Sequence, residues 1–314
     1  MMRRALLCLP APWLVCACAT IGAAQAPAAP APDGTDAARS DGVLILGRVS
    51  NSPRKDYPAL KALADYLARG LHDQGIVQGR VQFADTSDRM CALLREGRVD
   101  LAFDTVFPAV TYEDEAGAKV LLREWRDGLT TYRSVLFKRK DTPIAGLADL
   151  PGHIVAFERP GSTSAYFVPK ADMLAAGLDL KELRGTTEPL APDKVGYVFA
   201  GSENNIVVWV HRRLVAAGAF SDIDWDQDDD IPPVLRQDLE VFHTSPPLPR
   251  AVVLARQGLP APIERSVIRV LVAADGDAAG REVLKQKHVT RYDVITPEVA
   301  ASLAAARRLA ATVP

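Results

Sequence analysis

Short apolar runs alternate with amphipathic segments through the first third of the chain. Residues 43–49 form an apolar run suited to a strand that is buried on both faces. The hydrophobic residues of 56–71 share one face of a predicted helix. A strand at 80–84, a helix at 87–96 and a strand at 99–103 follow. This alternation predicts parallel β-α-β units.

Two polar residues, Asp104 and Thr105, stand directly after the third predicted strand. In open sheets of this kind, ligands bind beyond the carboxyl ends of the strands. We therefore expect both side chains to lie at a cleft.

The alternating pattern restarts after an extended segment at 131–137, which we interpret as a crossing out of a first lobe. A second crossing is predicted at 251–254, and mostly helical sequence follows it. The predicted fold class is α/β: a clamshell of two parallel-sheet lobes joined by two crossing strands. Residues 42–137 and 250–314 would form lobe 1, and residues 138–249 would form lobe 2.

Three hydroxyl residues, Ser162, Thr163 and Ser164, stand between a predicted strand at 153–157 and a predicted helix at 165–176. The first turn of a helix has free backbone N–H groups and the positive end of the dipole. The hydroxyl groups would add donors, so the stretch could bind an oxyanion without any fixed positive charge. The alternative is ordinary capping, for which one hydroxyl is enough.

The N-terminal region reads as a targeting segment. A basic start, an apolar run and a small-x-small site at Ala26 predict a signal peptide over 1–26, and 27–41 is an Ala/Pro-rich tether. Cys18 lies in an imperfect lipid-attachment pattern, so a lipoprotein is an open alternative. After cleavage only Cys91 remains, so no internal disulfide can form, and its apolar neighbours favour a core position.

Other function classes receive little support from the sequence. The net charge is −2, which does not indicate nucleic-acid binding. The acidic run at 222–230 lacks the Gly and Glu of a calcium loop, and the histidines are too scattered for a metal site. Nucleotide-binding glycine loops and a nucleophile elbow are missing. We therefore predict that the protein binds no cofactor and no metal ion and that it is not an enzyme.

The order of segments from about residue 43 to 287 resembles the periplasmic phosphonate/phosphite/phosphate-binding subunits of ABC importers. The resemblance is carried by four stretches: Val-Asp-Leu-Ala at 99–102, Tyr-Arg-Ser-Val at 132–135, Gly-Ser-Thr-Ser at 161–164 with Tyr166 and Pro169, and Ser-Pro-Pro-Leu-Pro at 245–249. It implies a type II periplasmic binding protein fold with an interlobe cleft.

The resemblance also implies roles for individual residues. Ser162, Thr163 and Ser164 would be the oxyanion cradle, and Tyr132 would donate from the first lobe. Ser87 or Thr86 stands where the family often has a Tyr, and Arg250 stands near positions where amine-binding members have acids. Asp104 replaces the bulky or neutral residue that the family has after the third strand, and it would accept a hydrogen bond from a protonated oxyanion. Asn205 and Tyr166 complete the predicted site.

The function implied is that of a periplasmic solute-binding protein. It would capture a phosphorus oxyanion, as a monomer, and deliver it to an ABC permease. Membrane contact would come only through a partner or a lipid anchor. The alternative is a sensory protein that hands its ligand-bound form to a membrane histidine kinase. A clamshell enzyme would need a nucleophile, and Cys91 is the one thiol beyond the targeting segment.

Overall fold

The computed structural model describes residues 42–226 and 231–313, all within the compact unit Ala37–Pro314. The predicted signal peptide, tether and Cys18 lie outside the described residues. Within the described ranges, every helix is too short or too polar to cross a membrane.

The chain alternates strands and helices for most of its described length. The strands are β1 (Val43–Val49), β2 (Gln78–Ala84), β3 (Leu101–Asp104), β4 (Lys119–Arg126), β5 (Thr131–Tyr132), β6 (Ser134–Arg139), β7 (Ile154–Phe157), β8 (Asp179–Glu182), β9 (Lys194–Phe199), β10 (Ala217–Ser221), β11 (Leu239–Thr244), β12 (Leu248–Pro249), β13 (Ala251–Ala255) and β14 (Val289–Val294). The helices are α1 (Pro53–Gly70), α2 (Ser87–Arg95), α3 (Val106–Ala116), α4 (Val168–Ala175), α5 (Glu203–His211), α6 (Asp222–Asp226), α7 (Pro233–Arg236), α8 (Ala261–Val272), α9 (Ala278–Gln286) and α10 (Pro297–Ala310).

The first lobe is built on a six-stranded sheet in the order β14-β4-β13-β3-β1-β2. Strands β2, β1 and β3 pair in parallel, as the alternating pattern predicted. Strands β13, β4 and β14 extend the sheet in antiparallel fashion. Buried leucines of α1 pack on the same core as Leu46 and Val253.

Helix α1 lies so close to β2 that only glycine fits at one position. A Cβ on Gly79 would come within 2.2 Å of the carbonyl oxygen of Ala64. Such an approach is far inside van der Waals contact, and the neighbour is rigid backbone. The close packing fixes the distance between α1 and the start of β2.

The second lobe has a six-stranded sheet in the order β11-β6-β10-β7-β9-β8. Strands β10, β7, β9 and β8 are parallel, and β6 and β11 are antiparallel to their neighbours. Phe137, Phe220 and Ile206 lie in its core. The two-lobed α/β clamshell predicted from the sequence is confirmed.

The crossings differ from the sequence prediction in their extent. Only β5 and β12 form the crossing, as an antiparallel pair with Tyr132 opposite Leu248. The rest of the segment predicted at 131–137 is β6, which lies in the second sheet between β11 and β10. Its residues from Ser134 to Lys138 are all buried. Likewise, the return crossing expected at 251–254 is β13 of the first sheet.

Helix α10 packs across the junction of the two lobes. Arg307 forms ion pairs with Glu113 and Asp114 of α3, at 2.7 and 3.3 Å. Leu303 packs against the core of the first lobe, and the helix also contacts β12 and α4. It therefore touches elements of both lobes.

Candidate functional site

The predicted oxyanion stretch forms a π-helical turn, Thr163–Phe167, that leads into α4. The N–H of Phe167 donates to the carbonyl oxygen of Ser162 at 3.0 Å, five residues earlier. The hydroxyl of Ser162 accepts from the N–H of Ala165 at 3.2 Å. Ser162 is therefore the N-cap of the turn, which is the alternative that the sequence left open.

Thr163 joins the two lobes. Its Oγ1 lies 2.8 Å from Oγ1 of Thr105 and accepts from the N–H of Phe107 at 3.2 Å. The rings of Phe107 and Phe167 stack beside this contact, with centroids 3.8 Å apart. We call these four residues the latch. Two of the predicted site residues, Thr105 and Thr163, are thus brought together across the cleft.

The cradle is also bonded to β6, which follows the crossing strand β5. Ser134 Oγ donates to the carbonyl oxygen of Ser164 at 2.6 Å, and the N–H of Ser134 donates to Ser245 Oγ at 2.9 Å. Arg133 Nη1 donates to the carbonyl oxygen of Ser245 at 2.8 Å. Ser134 of β6 therefore holds the cradle, and Ser245, which precedes β12, holds Ser134.

Tyr132 carries a buried hydroxyl group next to the cradle. The residue is 6% exposed, and its hydroxyl has no hydrogen-bond partner among the described residues. Burial raises the pKa of Tyr132, while the hydroxyls of Thr163 and Ser164 and the charge of Arg250 act in the opposite direction. Buried polar atoms are normally paired, so this hydroxyl is one of the few exceptions among the described residues.

Arg250 lies near Tyr132 and is largely buried. Its Nη1 is 3.7 Å from Asp127 but makes no hydrogen bond within the described part of the chain. Burial lowers the pKa of Arg250, and Arg126 adds to that effect.

Asp104 is held by protein donors at both carboxyl oxygens. Oδ1 accepts from the N–H of Thr105 at 2.8 Å, and Oδ2 accepts from the hydroxyl of Tyr112 at 2.7 Å. Burial raises the pKa of Asp104, although these two hydrogen bonds and the charges of Arg159 and Arg48 oppose the rise. The carboxyl group lies at the cleft as predicted.

A cavity of about 150 Å³ opens between the lobes beside Asp104 and Thr105, and four cationic side chains line it. We call it the cationic cavity; its cations are Arg48, Arg126, Arg159 and Lys287. Asp104 and Glu124 are the carboxyl groups in its lining, so cations outnumber acids by two to one. Such a cavity favours an anion.

The sequence reasoning missed all four of these cations and placed a different one, Arg250, in the site. Arg48 stands near the carboxyl end of β1, where the rule that identified Asp104 would also have pointed. Arg159 stands two residues before Gly161. Lys287 carried no signal, because it follows α9 in a segment read as helical.

Lys287 and Glu124 form a buried pair behind the cationic cavity. Lys287 Nζ lies 3.4 Å from Glu124 Oε2 and 4.4 Å from the centroid of the Phe103 ring. Burial lowers the pKa of Lys287 to about 8; Glu124 opposes this, and Arg48 and Arg126 contribute to it. Burial alone would raise the pKa of Glu124, but Lys287, Arg126 and Arg48 hold it below its usual value.

A larger opening of about 510 Å³ adjoins the cationic cavity and shares Arg48 and Arg159 with it. We call it the polar groove. Asn51 and Ser52 line it from the first lobe, and Ser202 and Asn204 line it from the second.

Two predicted site residues have structural roles instead. The side-chain amide of Asn205 donates to the carbonyl oxygen of Ala200 at 2.8 Å, so Asn204 rather than Asn205 lines the groove. Tyr166 packs among Phe157, Tyr197 and Phe199, and its hydroxyl accepts from Lys170 at 2.9 Å.

Ser87 lies on the other side of the latch, in a cavity of about 380 Å³ that Arg159 also lines. Its Oγ is buried and has no hydrogen-bond partner in the described ranges. A Cβ on Gly161 would meet this oxygen at 3.0 Å, so the glycine lets the cradle approach Ser87 closely.

Cys91 is buried in the core of the first lobe. Burial raises the pKa of its thiol to about 11, so the reactive thiolate is scarce at neutral pH. Among residues 42–226 and 231–313, no group of three or more His, Cys, Asp or Glu side chains could hold a metal ion.

Comparison with known proteins gives consistent matches. Residues 49–299 match the family described as the periplasmic substrate-binding protein of the phosphonate ABC transporter. The structure is similar to XAC2383 from Xanthomonas citri bound to chloride ion, with a TM-score of 0.84 and 32% identity over 86% of this chain and 98% of that one. The same protein bound to ATP matches with a TM-score of 0.83 and 32% identity, over 86% and 97%.

A more distant match concerns the fold. PhnD1 from Prochlorococcus marinus in complex with methylphosphonate is 16% identical over 87% of this chain and 99% of that one, with a TM-score of 0.65.

Proposed function

Because this chain belongs to the family of periplasmic substrate-binding proteins of ABC phosphonate transporters, we propose that it captures a phosphorus oxyanion between its lobes. The ligand would be phosphite, phosphate or a phosphonate, and the partner an ABC permease. Members of the family are transport proteins that bind a substrate.

The cationic cavity is the observation that supports this proposal. It lies between the lobes, and two of its guanidinium groups, Arg48 and Arg159, come from opposite lobes. Guanidinium groups match phosphoryl oxygens in geometry and form strong, charge-assisted hydrogen bonds. A ligand held by both arginines would favour closure, because only the closed arrangement offers both contacts.

Of the predicted neutral donors, Thr105 lines the cationic cavity and would contact the same anion. Tyr132 has an unpaired, buried hydroxyl group, and Ser164 and Thr163 lie beside it. Arg250 carries a buried nitrogen without a hydrogen-bond partner in the described chain, whereas Ser87 lies in the separate cavity on the other side of the latch. Ser162 supports the turn through its cap.

The proposal is tested by calorimetric titration of the purified protein, freed of ligand by unfolding and refolding. Phosphate, phosphite, methylphosphonate and sulfate form the panel. We expect binding of a phosphorus oxyanion that weakens about 10- to 100-fold in Arg159→Gln, because a hydrogen bond to a charged group is lost. Arg212→Gln is the matched control, an exposed arginine at the far end of α5. Failure of every phosphorus ligand to bind would refute the proposal.

A further inference from the structure

The polar groove extends the cationic cavity beyond what a single phosphoryl group needs. Its volume of about 510 Å³ falls within the roughly 300–1,000 Å³ of sites that bind whole small molecules. Arg48 and Arg159 lie at the junction of the two openings. A phosphoryl group bound there would direct its substituent into the groove.

The walls of the groove are suited to hydroxyl groups. Asn51 and Asn204 face it from opposite lobes, and neither side chain makes a hydrogen bond within the described part of the chain. A carboxamide offers both donors and acceptors, as an alcohol does. Of the described residues that line the groove, Val49 alone has an aliphatic hydrocarbon side chain, and no aromatic ring is present.

The three acids in the groove are less suited to an amine, because partners already engage them, Glu203 included. Asp56 accepts from Ser50 Oγ at 2.6 Å and lies 3.9 Å from Nε of Arg48. Glu158 accepts from Nε of Arg159 at 3.3 Å. An alkyl substituent would gain no apolar contact, and a nucleobase would find no ring to stack on.

We infer that the ligand is a phosphate ester or phosphonate of a polyhydroxylated group, with the phosphoryl group at Arg48 and Arg159 and the hydroxyls against Asn51 and Asn204. This inference rests on the proposed function and names its substrate class. A ribose phosphate has both the phosphoryl group and the hydroxyl groups. The base of a nucleotide would find no ring to stack on in the groove.

The test is a ladder of ligands titrated into the purified protein: phosphate, methylphosphonate, 2-aminoethylphosphonate, ribose 5-phosphate and AMP. We expect ribose 5-phosphate to bind at least about 10-fold more tightly than the two phosphonates, and AMP to bind within about threefold of ribose 5-phosphate. A phosphonate that binds as tightly as ribose 5-phosphate would overturn the inference. So would AMP binding more than tenfold more tightly than ribose 5-phosphate, since a base would then be recognised.

The double variant Asn51→Ala/Asn204→Ala assigns the hydroxyl contacts. Both side chains are exposed, so the variant should fold, and circular dichroism verifies this. Ribose 5-phosphate should lose about 10-fold in affinity, while methylphosphonate is unchanged. The control is Gln286→Ala, an exposed carboxamide on α9. Equal losses for both ligands would overturn the inference and leave the proposed function intact, whereas binding of no phosphorus ligand by the unaltered protein would refute both.

Discussion

Asp104 brings a carboxyl group into a cavity that otherwise favours anions. Both of its oxygens already accept from protein donors, Thr105 and Tyr112. The earlier hypothesis, in which Asp104 accepts from a protonated oxyanion, remains a prediction. The arrangement favours a simpler effect, namely that the charge of Asp104 repels the ligand.

Replacement of Asp104 by Asn should raise the affinity for phosphate by about tenfold, because a buried negative charge near the ligand is removed. Calorimetric titration at neutral pH measures the change. Asp141→Asn is the control, an exposed carboxylate paired with Arg139 and Arg213. Weaker binding in Asp104→Asn would instead support hydrogen bonding to a protonated ligand.

For single residues, the sequence predicted those members of the site that lie at strand ends and turns. Asp104 and Thr105 do line the cationic cavity, because the position of a strand end can be inferred from periodicity. Thr163, predicted from the hydroxyl stretch, meets Thr105. Tyr132 was expected from the resemblance alone. The cations were missed for a physical reason. Arginine and lysine side chains are long, and whether they turn towards a cleft or towards solvent depends on tertiary packing.

The latch connects a helix start in one lobe with a π-helical turn in the other. Oγ1 of Thr163 shares a hydrogen bond with Oγ1 of Thr105 and accepts one from the N–H of Phe107. The stacked rings of Phe107 and Phe167 add apolar contact. The latch contacts therefore contribute to the balance between closed and open lobes.

Substitution of Thr163 by Val keeps the volume but removes both hydrogen bonds. Each is worth about 0.5–1.5 kcal/mol, so the ligand-free protein should shift towards an open form. Small-angle scattering should show a larger radius of gyration than for the unaltered protein. Thr290→Val is the control, because its hydroxyl donates to Trp125 within the first lobe. An unchanged scattering profile would mean that the aromatic stack is sufficient to hold the lobes together.

Helices and strands with a clear hydrophobic periodicity were predicted well, whereas those in which polar residues interrupt the apolar ones were not. Strand β14 was not predicted. It lies between two predicted helices of the C-terminal remainder, and Thr290, Arg291 and Asp293 interrupt its apolar residues. It is a strand because β4 offers it an edge and Tyr292 is buried there. A tertiary partner of that kind is not visible in local sequence.

The Lys287–Glu124 pair connects the stability of the whole molecule to pH. The folded protein lowers the pKa of Lys287 to about 8, whereas the unfolded chain keeps it near 10.5. Between these values the unfolded state binds more protons, so the free energy of unfolding contributed by Lys287 rises with pH. At pH values below about 8, Lys287 is protonated in both the folded and the unfolded state. The burial of its charge then lowers the free energy of unfolding by a constant amount.

Urea unfolding at pH 7.5, 9 and 10 tests this linkage. The stability of the unaltered protein should increase with pH relative to that of Lys287→Met, because the variant has no proton to release. Lys285→Met, an exposed neighbour, should keep the pH dependence of the unaltered protein. Parallel pH dependences for Lys287→Met and the unaltered protein would contradict the assignment.

The position of α10 makes the protein suitable as an optical sensor. The helix contacts elements of both lobes, so its surroundings change when the clamshell moves. Cys91 is buried and its thiol pKa is about 11, so a thiol-reactive dye would label Ala305→Cys selectively in the described part of the chain. The fluorescence of that dye would follow ligand capture in solution, with no need for the transport partner.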